Sequence, residues 1–156
     1  MRVRYLIKER KTQESDTDWR RDDMQPRHAP VFARTRPVRS GWQWRSAKAE
    51  STQRKYILTA FCNPVRGNWQ ATLILCTDTG ASVIGRYEYH GSHPGLHVHA
   101  DCERGGLELG SISIDNLSRR PSAQSFHRRM SAWTANTFWE AARKFFRVEE
   151  RKGPLL

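Results

Sequence analysis

The chain has 156 residues, a length that suits one domain with a single hydrophobic core. Apolar residues make up only 37% and charged residues 28%, yet six tryptophans and six phenylalanines supply bulky core material and argue against wholesale disorder. The net charge of +11 is unevenly placed: residues 1–50 hold 13 Lys/Arg against 7 Asp/Glu, residues 51–116 hold 5 against 6, and residues 117–156 hold 9 against 3.

A near-neutral centre between two basic arms suits a polyanionic partner such as nucleic acid. Arginine outnumbers lysine, and its planar fork fits phosphates and base edges. The blander reading of the same charge is a solvated basic surface. The three cysteines, Cys62, Cys76 and Cys102, are widely spaced with no CxxC pair, which argues against a disulfide scaffold or a cysteine-based zinc ribbon. Charges interrupt the apolar N-terminal stretch, and no apolar run approaches the ~18 residues of a membrane span. A cytoplasmic location without a membrane partner is the expectation.

In chain order, the alternation of Val3, Tyr5 and Ile7 predicts a first strand. Residues 12–40, punctuated by Pro26, Pro30 and Pro37, read as a mobile Arg-rich loop of the one domain, 1–156. Trp42 and Trp44 start the next strand, with both indoles on one face. Apolar runs at 56–62, 69–76 and 83–89 alternate with turns around Asn63-Pro64 and Asp78-Thr79-Gly80, and Val83, Tyr87 and Tyr89 are expected to share a face. Two further strands are read at 97–102 and 107–114.

The period then becomes helical, with Ala123, Phe126, Met130 and Trp133, and after them Phe138, Ala141, Ala142 and Phe145. Thr137 and Glu140 match a capping box. The expectation is an α+β fold: an antiparallel meander of about five strands, covered on one face by C-terminal helices.

Chemistry concentrates at residues 90–102, which hold four of the six histidines. Leu96, Val98, Ala100 and Cys102 alternate there with His97, His99 and Asp101, so an extended strand sends two imidazoles and a carboxylate to one side. Such a row fits a divalent metal (zinc, manganese or iron) held by His93, His97, His99 and Asp101. It equally fits metal-free proton transfer, with His97 and His99 as acid and base, Asp101 orienting one ring and Arg86 stabilising phosphate charge. A solvent-facing row of mutually hydrogen-bonded side chains is the plain alternative. Cys102 falls on the opposite side of the strand, and His28 stands alone in a polar loop.

The sequence Gly85-Arg86-Tyr87-Glu88, the turn at His93-Pro94 and the triplet His97-Val98-His99 together resemble TumE-type toxins of bacterial toxin–antitoxin pairs. The resemblance spans about residues 56–146 and leaves the Arg-rich N-terminal arm outside. It implies a growth-inhibiting protein that acts on RNA and pairs with a cognate, acidic antitoxin.

The leading expectation is therefore a nucleic-acid-cleaving protein, directed at RNA. A second is a non-catalytic nucleic-acid-binding module in which Trp42, Trp44 and Arg45 stack on bases and Arg128 and Arg129 track phosphates. A third is a metal-dependent enzyme on a small anionic substrate.

Overall fold

The computed structural model describes residues 3–89 and 133–153 in full, and residues 97–100 and 110–113 as backbone. Its elements are α1 (Val3–Lys8), β1 (Lys11–Asp16), β2 (Gln43–Glu50), β3 (Lys55–Asn63), β4 (Asn68–Thr77), β5 (Gly80–Tyr89), β6 (His97–Ala100), β7 (Gly110–Ser113), α2 (Ala135–Phe146) and β8 (Val148–Glu149). The fold is α+β with one mostly antiparallel sheet, ordered β7-β6-β5-β4-β3-β2-β1-β8.

The sheet is wider than a five-strand meander. Strands β2 to β7 do follow one another as antiparallel neighbours, but β1 adds to β2, and the two-residue β8 pairs parallel to β1 through Lys11↔Val148 and Thr12↔Glu149. So short a strand leaves no periodic signal.

The first expected strand is a helix instead. Val3, Leu6 and Ile7 fall at i, i+3 and i+4, and Leu6 and Ile7 are the buried pair while Tyr5 stays exposed. The stretch expected as a loop from about residue 12 to 40 begins with β1, whose polar sequence Lys-Thr-Gln-Glu-Ser-Asp hides a strand from any hydrophobic pattern. Beyond it, residues 20–38 are tied down by the bridges Arg20↔Trp44 and Met24↔Arg36 and by a 3-10 turn at Pro26–His28.

Alternation divides the sheet cleanly. One side carries Ala47, Tyr56, Leu58, Ala60, Ala71, Leu73 and Tyr87, which are buried in a single cluster with Leu6 and Ile7 of α1 and Phe138, Trp139, Ala142 and Phe146 of α2. Within it Trp69 and Phe138 lie 5.4 Å apart, and Tyr87 packs on Phe138 at 6.2 Å and on Phe145 at 4.9 Å. The segment 123–132 lies outside the described residues.

The register of β5 slips by one residue. Leu73 pairs with Gly85 but Ile74 with Val83, so Ile84 is the extra residue of a bulge. The bulge sends Val83 to the side opposite Tyr87 and Tyr89, correcting the shared face expected from sequence. The α2 cap also differs: Thr134 is the N-cap, exchanging hydrogen bonds with Thr137, and Glu140 pairs with Arg143 at 3.0 Å.

Two helix ends and one strand meet at Lys11, which is fully buried. Its ammonium donates to the carbonyls of Leu6 (2.7 Å), Ile7 (3.3 Å) and Phe146 (3.0 Å), and also to that of Glu9. Leu6 and Ile7 end α1 and Phe146 ends α2, so one cation satisfies carbonyls at both C-termini, where helix dipoles favour positive charge. The ring of Tyr56 lies 4.8 Å away. Nearby, burial pushes the Glu9 carboxyl up, but hydrogen bonds from Tyr56 and Ser51 and the charge of Arg54, at 3.0 Å, outweigh it and hold it below its ordinary value.

Burial pulls Lys11 down to about 8 from 10.5. The unfolded chain then binds more protons than the folded one between those values, so Lys11 makes stability rise with pH across that window. Chemical denaturation at pH 8 and pH 9.5 is expected to show a gain of about 1.5 kcal/mol from this group. Lys11→Met is expected to abolish that gain and to lower stability by about 3 kcal/mol, because buried carbonyls lose their donor. A variant as stable as the parent with the same pH slope would contradict this role.

Candidate functional site

The other side of the sheet is polar in its middle. Directly paired positions form cross-strand rows: Ser46, Thr59, Thr72, Arg86, 99 and 111 make one, and Trp44, Phe61, Gln70, Glu88, 97 and 113 make the next. A third row, Lys48, Ile57, Ile74 and Val83, is apolar from β3 onward. These rows exist because Thr59, Gln70, Thr72 and Arg86 interrupt otherwise apolar strands at alternate positions.

Above them runs the segment 20–38. Its anchor is the backbone carbonyl of His28, which accepts from Thr59 Oγ1 at 2.6 Å and from Ser46 Oγ at 2.9 Å. The Trp44 indole donates to the carbonyl of Asp22 at 2.7 Å, and the His28 ring lies 5.0 Å from that of Trp44. Burial, then the charges of Arg27, Arg20 and Lys48, lower the His28 imidazole below its ordinary value, so it is neutral at pH 7. Sequence reading left this histidine as an isolated loop residue. It is the clamp that fixes the segment, and nothing in its polar sequence context signals that.

Between segment and sheet lies a cleft of about 550 Å³. Thr59, Gln70, Thr72 and Arg86 line it from the sheet, and Phe32 and Arg36 from the overlying segment. The Arg36 guanidinium sits 4.4 Å from the centre of the Phe61 ring and 5.1 Å from that of Phe32. Burial lowers it from its ordinary value, but arginine remains charged. Among the described residues neither Arg36 nor Arg86 has a carboxylate partner, whereas Glu88 accepts from the Gln70 amide at 3.3 Å. Two guanidiniums without carboxylate partners among the described residues give this cleft a positive charge.

The predicted site residues divide accordingly. Arg86 lines the cleft, and its register partner on β6 is His99, while His97 pairs with Glu88. The side chains of His97 and His99, and His93, Asp101, Arg128 and Arg129 entirely, lie outside the described residues. Among the described residues no three His, Cys, Asp or Glu side chains gather as metal ligands.

The structure does not bring the expected base-stacking trio together. Trp44 is fully buried, Trp42 lies 5.1 Å from Phe61 in a stack, and Arg45 is held on the opposite side of the sheet. There Arg45 makes two 2.8 Å bonds to Asp16 and lies 4.9 Å over the Trp139 ring. Strand alternation sends Trp44 and Arg45 to different faces, and each is consumed by packing.

Thiol chemistry is disfavoured as well. Burial pushes Cys62 up to about 11 and raises Cys76, so neither is a thiolate near neutrality. Among the described residues no helix is long and apolar enough to cross a membrane. No family model, curated protein or solved structure matches this chain.

Thr59→Val keeps the shape of the floor but removes the shorter of the two bonds to the His28 carbonyl. It is expected to cost about 1 kcal/mol and to speed amide exchange selectively over residues 24–36. Uniform exchange across the chain, or none beyond that of the parent, would contradict the clamp.

Proposed function

We propose that this protein binds RNA and cleaves its phosphodiester bonds by acid–base chemistry at β6. The observation that supports this best is the pairing of Arg86 with His99, at the edge of a cleft that already holds the un-neutralised Arg36. On this reading one imidazole of the His97/His99 pair takes the proton of a ribose 2′-hydroxyl as its oxygen attacks phosphorus. The other gives a proton to the leaving oxygen as its bond to phosphorus breaks. Arg86 stabilises the charge that builds on the phosphoryl oxygens. Asp101 orients one ring.

The basic arms add sequence-independent attraction, which matches the +11 charge. On this reading Arg128 and Arg129, which lie outside the described residues, track the RNA backbone. The resemblance to TumE-type toxins adds an acidic antitoxin as protein partner and a cytoplasmic setting.

Cleavage of a labelled single-stranded RNA tests this. His99→Ala is expected to lose about 10²-fold or more, and Arg86→Met about 10²-fold. Undiminished cleavage by His99→Ala overturns the assignment. Activity that survives a chelator supports proton transfer, and activity abolished by it assigns His93, His97, His99 and Asp101 to a zinc, manganese or iron centre instead.

A further inference from the structure

We propose that the cleft between segment 20–38 and the sheet receives a single unpaired nucleotide, its base stacked at Phe32 and Arg36 and its phosphate at Arg86. The inference rests on the reading that the ligand is nucleic acid, and it specifies which form of nucleic acid enters.

The cleft is graded by its rows. At one end lies Phe61, backed by Trp42 and covered by the Arg36 guanidinium. Phe32 stands on the overlying segment with 43% of its surface exposed, one of the few large apolar side chains among the described residues left open to solvent. A half-exposed phenylalanine and a guanidinium plane are the two surfaces on which unstacked bases rest. Single residues of this kind are ordinary on a surface, but here the ring lines a cleft whose other end carries charge.

The next strands, β4 and β5, supply the polar complement. Gln70 gives one amide hydrogen to Glu88, which leaves its oxygen and second hydrogen for a base edge. Thr72, half-buried on the same strand, adds a hydroxyl, and Arg86 is its direct cross-strand neighbour. Aromatic surface, hydrogen-bonding edge and cation thus follow one another across the floor, in the sequence base, sugar edge, phosphate.

Size limits the occupant. A cleft of about 550 Å³, roofed by the anchored segment, falls in the range of small-molecule sites and leaves no room for a duplex. A base that enters must already be out of its stack. Burial also lowers Arg36 below its ordinary value, which marks a guanidinium partly withdrawn from water before any ligand arrives.

Calorimetric titration tests the proposal with each of the four ribonucleoside monophosphates, inorganic phosphate and the free nucleosides as probes. Monophosphates are expected to bind about tenfold or more tighter than inorganic phosphate, and Phe32→Ala to remove most of that advantage. Gln70→Ala is expected to change the ranking among the four bases. Single-stranded RNA should compete for the site and a duplex of the same sequence should not.

Phe32→Leu serves as the second variant if the alanine form melts early, since it keeps the apolar volume and loses the stacking plane. Inorganic phosphate binding as tightly as nucleotides, or duplex and single strand competing equally, overturns the proposal and leaves an anion site only. Nucleotide binding in the calorimeter requires no turnover. A failure of the cleavage reading therefore leaves this binding intact, and a failure here leaves cleavage to be judged on its own assay.

Discussion

The fold hangs on one buried cation. Lys11 closes the carbonyl ends of α1 and α2 and begins β1, the strand that joins the parallel β8 to the antiparallel meander. Without a donor there, two helix termini would face each other across the core with unsatisfied oxygens, each a substantial cost in a site that water does not reach. The Glu9, Arg54 and Tyr56 contacts beside it hold the neighbouring turn in the same geometry. The chain's two ends are thereby fixed on one side of the sheet.

That arrangement determines which face is left for the cleft. Both helices contribute aromatic and aliphatic side chains to a cluster on one face, with Tyr56, Leu58, Trp69, Leu73, Ile84 and Tyr87 of β3, β4 and β5, while Ile57, Phe61 and Ile74 are buried on the other. The opposite face has no helix of the described residues packed against it. It is covered in part by the extended segment 20–38, which buries Met24 and Ala29 in a second apolar cluster with Trp44, Ile57, Phe61 and Ile74 and is held as well by backbone bridges and by the carbonyl of His28. The cover leaves a cleft beside that cluster, and polar floor residues survive there because they are hydrogen-bonded or within reach of water. The bulge at Ile84 completes the division by returning Val83 to the cleft side and keeping Tyr87 in the core.

Much of the central sheet was legible from sequence because its strands alternate and its turns carry Asn, Pro, Asp and Gly at telling positions. Gly67 closes the β3–β4 turn at φ +63°, a conformation glycine adopts freely, while Asn63 Oδ1 accepts from the Arg66 amide. Arg86 was likewise readable, since it breaks an apolar strand. What escaped notice lacks a periodic signal. β1 is polar throughout, β8 is two residues long, and α1 imitates a strand when only its odd positions are counted. The tryptophans misled for a different reason. Trp44 and Arg45 look like nucleic-acid contacts in a basic sequence, yet each finds its partner inside the fold, in the Asp22 carbonyl and in Asp16 with Trp139. Arg36 and Phe32 carried no motif and became meaningful only once the segment was seen to fold back over the sheet.

The account as a whole asks Arg86, which has no carboxylate partner among the described residues, to meet phosphate. Binding of a single-stranded RNA measured over a range of salt concentrations tests this most directly, because each phosphate neutralised on a single strand contributes a slope of about 0.7 in log affinity against log salt. The parent should lose affinity steeply with salt, and Arg86→Met should show a slope shallower by about 0.7 while melting at the same temperature. An unchanged slope in the folded variant would place the RNA elsewhere and contradict the account.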